Sequence, residues 1–262
     1  AFEDPEVDMI LCAIGGDDTY RLLPYLFEND ALKKAVKNKI FLGFSDSTMN
    51  HFMLHKVGLP TFYGQSFLSD VCEMEPEILP YTPSEVWYEG RTDYSESQLG
   101  TRLPVHQNGG FELLQGNAVF HGKILGGCID TIFDMFDGER YADSPELCRR
   151  YQLFPSLEDW KGKILLLESS EEKMSPEKYR KALTVLKDTG IFKVINGVLI
   201  GKPMDETYYE EYKKILVEVI DDPSLPVVYN INVGHALPRC IIPFGVEAVA
   251  DMEQQKITFK EE

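Results

Sequence analysis

The sequence predicts an α/β fold built on a mostly parallel sheet. Short apolar runs rich in β-branched residues alternate with stretches in which apolar residues recur at three- and four-residue spacings. This alternation is typical of βαβ units, in which a helix connects two parallel strands. The 262 residues suit one large or two modest domains, and 44% apolar with 26% charged residues is an ordinary globular composition.

Individual elements follow from the same periodicity. Apolar runs bounded by polar or turn-forming residues predict strands over 7–14, 39–44, 118–124, 163–168, 194–201, 227–233 and 241–250. Amphipathic spacing predicts helices over 47–57, 129–136, 175–188 and 206–220. In the third helix, Ser175 supplies an N-cap and Pro176 occupies the first turn.

Residues 75–108 interrupt the alternation and are rich in proline, glycine, tyrosine and acidic residues. An irregular stretch of this length is uncommon inside a compact domain unless it is a lid or a linker. We therefore predict an N-terminal domain over 1–74, a linker and lid over 75–108, and a C-terminal domain over 109–262. The aromatic residues of the lid either cover a flat ligand or pack one domain on the other; they are Tyr81, Trp87, Tyr88 and Tyr94.

Charge and cysteine content restrict the function classes. Twenty-six basic against 43 acidic residues give a net charge of −17, which disfavours nucleic-acid polymers and anionic membranes as partners but not a single nucleotide. No apolar run approaches the roughly 20 residues that span a bilayer. Five scattered cysteines without a CxxC pair predict reduced thiols and a cytoplasmic protein. Because the sequence opens at Ala1 without an initiator Met or a signal-peptide pattern, we expect upstream sequence to be missing.

Three reactive side chains follow predicted strands, where catalytic groups of open α/β sheets collect. Ser45 lies between a strand and a helix, as in a nucleophile elbow, although an N-cap serine fits the same context. Glu168 closes an apolar strand and is either a buried orienting carboxylate or a solvated acid. His235 follows another strand through a glycine. The order serine, acid, histidine predicts a triad in which His235 is the general base and Glu168 fixes its tautomer.

An oxyanion also needs hydrogen-bond donors, and the backbone N–H of Asp46 is the natural first one. Gly15 and Gly16 could supply the second, although a glycine pair after a strand also fits a phosphate-binding turn. A second pair, Gly126 and Gly127, raises the same ambiguity. It precedes Cys128, whose thiol at a helix start is a minor alternative nucleophile.

The remaining histidines are predicted to be structural or surface residues, and no metal site is predicted. His51 and His55 share a helical face, but HFMLH lacks the glutamate of a zinc-protease helix. His106 falls in the lid and His121 in a strand, with no evident partner for either.

Five motifs in this order and spacing resemble the LD-carboxypeptidase family of serine peptidases over nearly the whole chain. They are AIGGDDTYRLLPYL, GFSDSTMNHF, HGKILGGCIDTI, KGKILLLESSEE and NVGHALPRCIIPFGVEA. Within the family, GGDDTYRLLPYL and FELLQG are most similar to the branch typified by the microcin C immunity peptidase.

The resemblance implies a Ser-Glu-His triad at Ser45, Glu168 and His235, with backbone oxyanion donors at Gly16 and Asp46. It also implies a flavodoxin-like or Rossmann-like N-terminal α/β sandwich with the nucleophile elbow, and a C-terminal α/β domain with the acid and the histidine. The family carries a further strand and helix upstream, whose loss would expose a sheet edge. Members form homodimers and need no metal or organic cofactor.

The implied reaction is hydrolysis of an amide bond next to a free carboxylate. Substrates are aminoacyl-nucleotide antibiotics in the microcin-immunity branch, which we favour, and murein tetrapeptides in the other. Phe111 corresponds to an aromatic residue that stacks on the nucleobase, often tryptophan in relatives, and Trp87 is a further candidate. Arg91 and Arg102 could meet a substrate carboxylate or phosphate, or simply offset nearby acids. The rival class is a non-catalytic two-domain protein that binds a small ligand without turnover.

Overall fold

Three β-sheets form the framework of the computed structural model, which describes residues 1–37, 39–71 and 80–260. The strands are β1 (Met9–Leu11), β2 (Ile40–Gly43), β3 (Thr61–Tyr63), β4 (Val86–Tyr88), β5 (Val105–Gln107), β6 (Glu112–Gln115), β7 (Val119–Cys128), β8 (Ile164–Glu168), β9 (Gly197–Gly201), β10 (Val227–Ile231), β11 (Ile242–Phe244), β12 (Glu247–Asp251) and β13 (Lys256–Phe259). The α-helices are α1 (Leu23–Phe27), α2 (Ala31–Ala35), α3 (Thr48–Lys56), α4 (Ile129–Asp134), α5 (Ser144–Arg150), α6 (Leu157–Trp160), α7 (Pro176–Asp188) and α8 (Tyr209–Ile220). The predicted α/β class is confirmed.

The first sheet has the order β1-β2-β3-β11. Its first three strands are parallel, whereas β11 pairs antiparallel with β3 and places Ile242 opposite Tyr63. A segment from beyond residue 109 therefore completes the sheet that leads into Ser45. The domain boundaries stay a prediction, and this pairing couples the two predicted domains.

The larger sheet has the order β13-β12-β7-β8-β9-β10-β6, with β7 to β10 parallel at its centre. β8, β9 and β10 are buried along their whole length, as expected of central parallel strands covered on both faces. Cys128, the last residue of β7, lies opposite Glu168, the last residue of β8. Both side chains thus emerge at the carboxyl end of the sheet, where sites of α/β proteins form.

Several predicted strands differ from the observed ones. Those over 7–14 and 194–201 are shorter, at Met9–Leu11 and Gly197–Gly201. The strand predicted to end at residue 124 continues to Cys128, because the Gly126 and Gly127 backbones pair with the neighbouring strand. The run predicted over 241–250 divides at Gly245, which has a φ of 83°, into β11 and β12, and these strands belong to different sheets. An apolar run by itself carries no signal for such a division.

The four predicted helices are present as α3, α4, α7 and α8, within three residues of the expected bounds. At the start of α7, the Ser175 hydroxyl accepts a hydrogen bond from the backbone N–H of Lys178, as the N-cap prediction requires. Among the described residues, no helix combines the length and the apolar character needed to cross a bilayer.

The segment predicted as an irregular lid contains regular structure. β4 and β5 form an antiparallel ribbon, and the backbone N–H of Tyr88 donates a 2.9 Å hydrogen bond to the carbonyl of Leu237. The ribbon is therefore attached to the loop that carries His235. Residues 75–79 of the predicted lid lie outside the described residues.

Candidate active site

Ser45 lies in a tight turn between β2 and α3. Its φ is 64°, in the left-handed region that few residues other than glycine adopt. The preceding residue, Phe44, is extended, and a short 3₁₀ turn over Ser45–Ser47 leads directly into α3. A strained strand-turn-helix of this kind is the geometry of a nucleophile elbow, which confirms the predicted local fold.

The structure brings together the three side chains that the sequence singled out. Nε2 of His235 lies 3.1 Å from Oγ of Ser45, and Nδ1 of His235 lies 2.7 Å from Oε2 of Glu168. Glu168 is only 1% exposed, which excludes the alternative of a solvated acid. A continuous hydrogen-bonded chain therefore runs from a buried carboxylate through an imidazole to a hydroxyl, the arrangement that lets a histidine remove a serine proton.

Tyr63 forms hydrogen bonds with both Glu168 and Ser45. Its buried hydroxyl donates a 2.5 Å hydrogen bond to Oε1 of Glu168 and accepts one of 3.1 Å from the backbone N–H of Ser45. Sequence reasoning missed this residue. The short strand β3 that ends at Tyr63 was not among the predicted strands, so no local pattern pointed to this residue.

The charges around His235 favour its protonated form. Burial opposes the imidazolium, but the carboxylates of Glu168 and Glu171 outweigh it and raise the pKa of His235 to about 9. Burial likewise opposes the Glu168 carboxylate, but His235 and the Tyr63 hydroxyl hold its pKa below the usual value. The buried Arg239 guanidinium adds a further positive charge that favours the Glu168 carboxylate.

Glu171 is a second acidic partner of His235 that sequence reasoning missed. Its Oε2 lies 2.9 Å from Nε2 of His235, although the side chain is 62% exposed. The hydrogen bond to His235 lowers the pKa of Glu171 to about 2. The only signal was its place in the polar run ESSEE, which begins at Glu168 and holds three acids.

The predicted oxyanion donors lie beside the elbow. A Cβ added to Gly15 would stand 3.0 Å from Oγ of Ser45 and 3.6 Å from the backbone nitrogen of Asp46. The Asp46 carboxylate accepts hydrogen bonds from the backbone N–H and the hydroxyl of Thr19, at 3.1 and 2.6 Å. Asp46 thus fastens the glycine turn, including Gly16, against the elbow. Its own backbone N–H follows the serine directly.

A small cleft of about 30 Å³ opens at Ser45. Its lining is rich in carboxylates and consists of Gly16, Asp17, Ser45, Cys128, Asp130, Thr131, Asp134, Arg140, Ser170, Glu171 and Glu172. The one basic side chain in that lining, Arg140, contacts Asp17, Asp134 and Glu172 at 3.5, 3.4 and 2.6 Å. The cleft lining thus contains both the Ser45 hydroxyl and a guanidinium that is paired with three carboxylates.

Cys128 does not have the environment of an activated thiol. Burial and the nearby Glu168 carboxylate raise the pKa of the Cys128 thiol well above its ordinary value, so it stays protonated. The preceding Gly127 is needed for close packing, because a Cβ there would stand 2.3 Å from Oγ1 of Thr48. These observations disfavour both the cysteine nucleophile and a phosphate-binding role for that glycine pair.

The aromatic residues predicted to bind substrate are buried, in contrast to the predicted triad, whose side chains meet as expected. Phe111 and Trp87 are each 6% exposed, and Trp87 stacks on His106 at a centroid distance of 4.4 Å. The burial of both rings argues against direct stacking on a ligand in this conformation. Arg102 is exposed, and Arg91 donates hydrogen bonds to Thr101. The roles assigned to these residues stay predictions.

Besides His106, which stacks on Trp87 and contacts Oε1 of Glu89 at 2.8 Å, two of the other histidines have clear structural partners. His51 is fully buried between Oγ1 of Thr61 at 2.7 Å and the carbonyl of Gly43 at 3.0 Å, and burial lowers its pKa to about 4. His121 contacts Glu247 at the surface. Neither contributes to the cleft at Ser45.

Comparison with known proteins relates this geometry to a family. The LD-carboxypeptidase N-terminal domain matches residues 1–64, and the LD-carboxypeptidase C-terminal domain matches residues 121–249. The chain is 24% identical to the microcin C7 self-immunity protein MccF of Escherichia coli, over 99% of this chain and 75% of that protein. It is 25% identical to a probable murein peptide carboxypeptidase of Bacillus subtilis, over 97% of this chain and 72% of that protein.

Among solved structures, the chain is 60% identical to an MccF-like protein of Streptococcus pneumoniae, crystallised in complex with AMP. The TM-score is 0.95, and the match covers 99% of this chain and 80% of that one. MccF in complex with aspartyl sulfamoyl adenosine has the same fold, with a TM-score of 0.77 at 23% identity, over 100% of this chain and 78% of that one. The chain therefore belongs to the LD-carboxypeptidase family and is a hydrolase of the serine carboxypeptidase type.

Proposed function

We propose that Ser45, His235 and Glu168 form the catalytic triad of this carboxypeptidase. The observation that carries the proposal is the hydrogen-bonded chain from Glu168 to Ser45, with distances of 2.7 and 3.1 Å, which ends on a serine with a φ of 64°. A binding protein without turnover has no need for a strained serine at the end of such a chain.

The reaction follows from these positions. Nε2 of His235 takes the proton of the Ser45 hydroxyl as Oγ attacks the carbonyl carbon of the scissile amide. The backbone N–H groups of Asp46 and Gly16 stabilise the oxyanion that forms. His235 then returns the proton to the leaving nitrogen, the amide bond breaks, and a water activated by the same imidazole hydrolyses the acyl-enzyme. Throughout, Glu168 stabilises the imidazolium.

Arg140 is the group that we assign to the free carboxylate of the substrate. It lies in the cleft lining with Ser45 and is 27% exposed at its side chain, so a ligand can reach it. Its guanidinium already accommodates three carboxylates, and a substrate carboxylate would exchange with one of them.

For the substrate we favour an aminoacyl-nucleotide of the microcin C type, whose hydrolysis would give antibiotic immunity or detoxification. The support is the similarity to the MccF-like protein crystallised with AMP. The alternative, trimming of murein tetrapeptides, is supported by the similarity to the murein peptide carboxypeptidase. A cytoplasmic homodimer remains part of the proposal; Cys12, Cys128, Cys148 and Cys240 are free thiols, which agrees with a reducing compartment.

The proposed triad and the proposed substrate can be tested together. The purified protein is assayed for hydrolysis of an aminoacyl-sulfamoyl adenosine and of a murein tetrapeptide. We expect turnover of the first, and loss of turnover in Ser45→Ala. Ser97→Ala, an exposed serine in the lid, is the matched control and should keep full activity. Activity that survives in Ser45→Ala would remove Ser45 from the mechanism, and exclusive turnover of the tetrapeptide would select the alternative substrate.

A further inference from the structure

The side chains of Cys128, Glu168 and His235, which offer a sulfur, an oxygen and a nitrogen ligand, lie close together in the protein interior. The sulfur of Cys128, a carboxylate oxygen of Glu168 and a ring nitrogen of His235 all lie within 4.8 Å of one another. Cys128 and Glu168 are 1% exposed, and the His235 side chain is 9% exposed. The triad thus borders a buried sulfur that the proposed reaction does not use.

The fold fixes two of these three donors. Cys128 and Glu168 are paired residues at the ends of adjacent parallel strands, so their side chains leave the sheet on the same side. The 2.7 Å hydrogen bond between Nδ1 of His235 and Oε2 of Glu168 holds the third donor in place. This preorganisation lowers the entropic cost of collecting the donors around an ion.

The donor set selects a particular class of metal. Thiolate, imidazole and carboxylate together are typical ligands of Zn²⁺, whereas Mg²⁺ and Ca²⁺ prefer oxygen donors alone. Tetrahedral bonds to zinc separate a nitrogen and an oxygen ligand by about 3.3 Å. The observed 2.7 Å between Nδ1 and Oε2 would therefore have to widen by roughly half an ångström.

We propose that Cys128, Glu168 and His235 form an inhibitory site for Zn²⁺ and similar thiophilic ions. Binding forms bonds from zinc to the Cys128 sulfur, a Glu168 oxygen and Nδ1 of His235, and water fills the fourth position. The thiol proton and the Nδ1 proton are released to solvent. No electron transfer or co-reactant is required.

Zinc at this position blocks the proposed reaction through His235. The metal takes the place of the Nδ1 proton and breaks the hydrogen bond to Glu168. Coordination to a dication also withdraws electron density from the ring, so Nε2 becomes a weaker base for the Ser45 proton. Because the donors are buried, the ion enters only when the His235 side chain moves, and inhibition should develop slowly.

The first experiment measures inhibition of turnover by Zn²⁺ and therefore rests on the proposed function. It compares wild type with Cys128→Ser and Cys128→Ala. Losing a group that merely orients a metal ligand costs roughly 10–100-fold in affinity. Losing the thiolate should therefore raise the Zn²⁺ concentration for half-inhibition by at least about tenfold. Cys148→Ser, a buried cysteine on α5 outside the cluster, should stay as sensitive as wild type. EDTA should restore activity, and Mg²⁺ should not inhibit.

The second experiment measures metal binding by absorption spectroscopy and does not depend on turnover. Co²⁺ added to the substrate-free protein should produce a thiolate-to-cobalt charge-transfer band in wild type and Cys148→Ser but not in either Cys128 variant. Equal zinc sensitivity of wild type and both Cys128 variants would overturn the proposal, as would a cobalt band that persists without Cys128 or is missing in wild type. If no substrate is turned over, the cobalt spectra alone decide the metal site, so its failure is separable from failure of the proposed function.

Discussion

Nε2 of His235 lies 2.9 Å from a carboxylate oxygen of Glu171 and only slightly farther, 3.1 Å, from the Ser45 hydroxyl. The Glu171 carboxylate favours a proton on this nitrogen, because with Glu168 it raises the pKa of His235 to about 9. The same nitrogen cannot then accept the proton of Ser45. Glu171 therefore stabilises a resting state in which the proposed base is already protonated.

The pH dependence of activity should reveal this contact. The pKa of His235 is raised to about 9, so the neutral base is scarce below that pH and kcat/KM should rise as the pH increases toward it. Removing the Glu171 charge removes one of the two carboxylates that raise this pKa. In Glu171→Gln the rise of kcat/KM should therefore move to lower pH, and activity near neutrality should increase.

The control for that measurement is Glu172→Gln. Its carboxylate contacts Arg140 instead of His235, so the pH at which kcat/KM rises should stay at the wild-type value. Coincident pH profiles for wild type and Glu171→Gln would show that the Glu171 contact does not exist in the free enzyme.

Tyr63→Phe should impair both catalysis and stability. The change leaves Oε1 of the buried Glu168 and the backbone N–H of Ser45 without their shared partner. An unsatisfied buried polar group costs about 1–3 kcal/mol, so the free energy of unfolding should fall by about that much in denaturant titrations. We expect kcat to fall more than KM rises, because the hydroxyl supports the triad without reaching the substrate.

Tyr229→Phe provides the comparison, since this tyrosine is equally buried and, among the described residues, its hydroxyl donates a hydrogen bond to the carbonyl of Tyr209 alone, at 3.2 Å. It should lose stability without a specific loss of kcat. Wild-type kcat in Tyr63→Phe would mean that the hydroxyl does not help to position Ser45 or Glu168.

Gly15→Ala should lower activity strongly with little effect on folding. The new methyl group would lie 2.9 Å from Cβ and 3.0 Å from Oγ of Ser45, inside normal contact distance. It would also crowd the backbone N–H of Asp46. We expect kcat/KM to fall by at least about a hundredfold, the effect of losing one oxyanion donor. Gly109→Ala, with open space around the added carbon, should match wild type in kcat/KM and Tm.

Arg140→Gln should weaken binding of substrates that carry a free carboxylate. A hydrogen bond to a charged group contributes about 1.5–3 kcal/mol, so KM should rise roughly tenfold or more. For the same substrate with its carboxylate converted to an amide, Arg140→Gln should change KM little. The control variant Arg180→Gln removes an exposed ion pair with Glu218 and should not change KM. An equal rise in KM for both substrates would assign Arg140 a structural role.

Features that depend on neighbouring residues in the chain can be predicted from the sequence, whereas contacts between distant residues cannot. Ser45, Glu168 and His235 could be found because each lies at or shortly after the carboxyl end of an apolar strand, where catalytic groups of α/β proteins collect. The N-cap at Ser175 is local in the same sense. Partners that are near in space but far along the chain left no such pattern: Tyr63 and Glu168 are 105 residues apart.

The sequence by itself therefore determined the α/β class, the order of most elements, the family resemblance and the three side chains that meet at the candidate site. Only the tertiary structure decided that β11 pairs with β3, that Phe111 and Trp87 are buried, and that Glu171 contacts His235. The physical reason is that periodicity encodes which face of an element is apolar. Which surfaces finally pack, and which charges they bring within 3 Å of one another, depends on the whole chain.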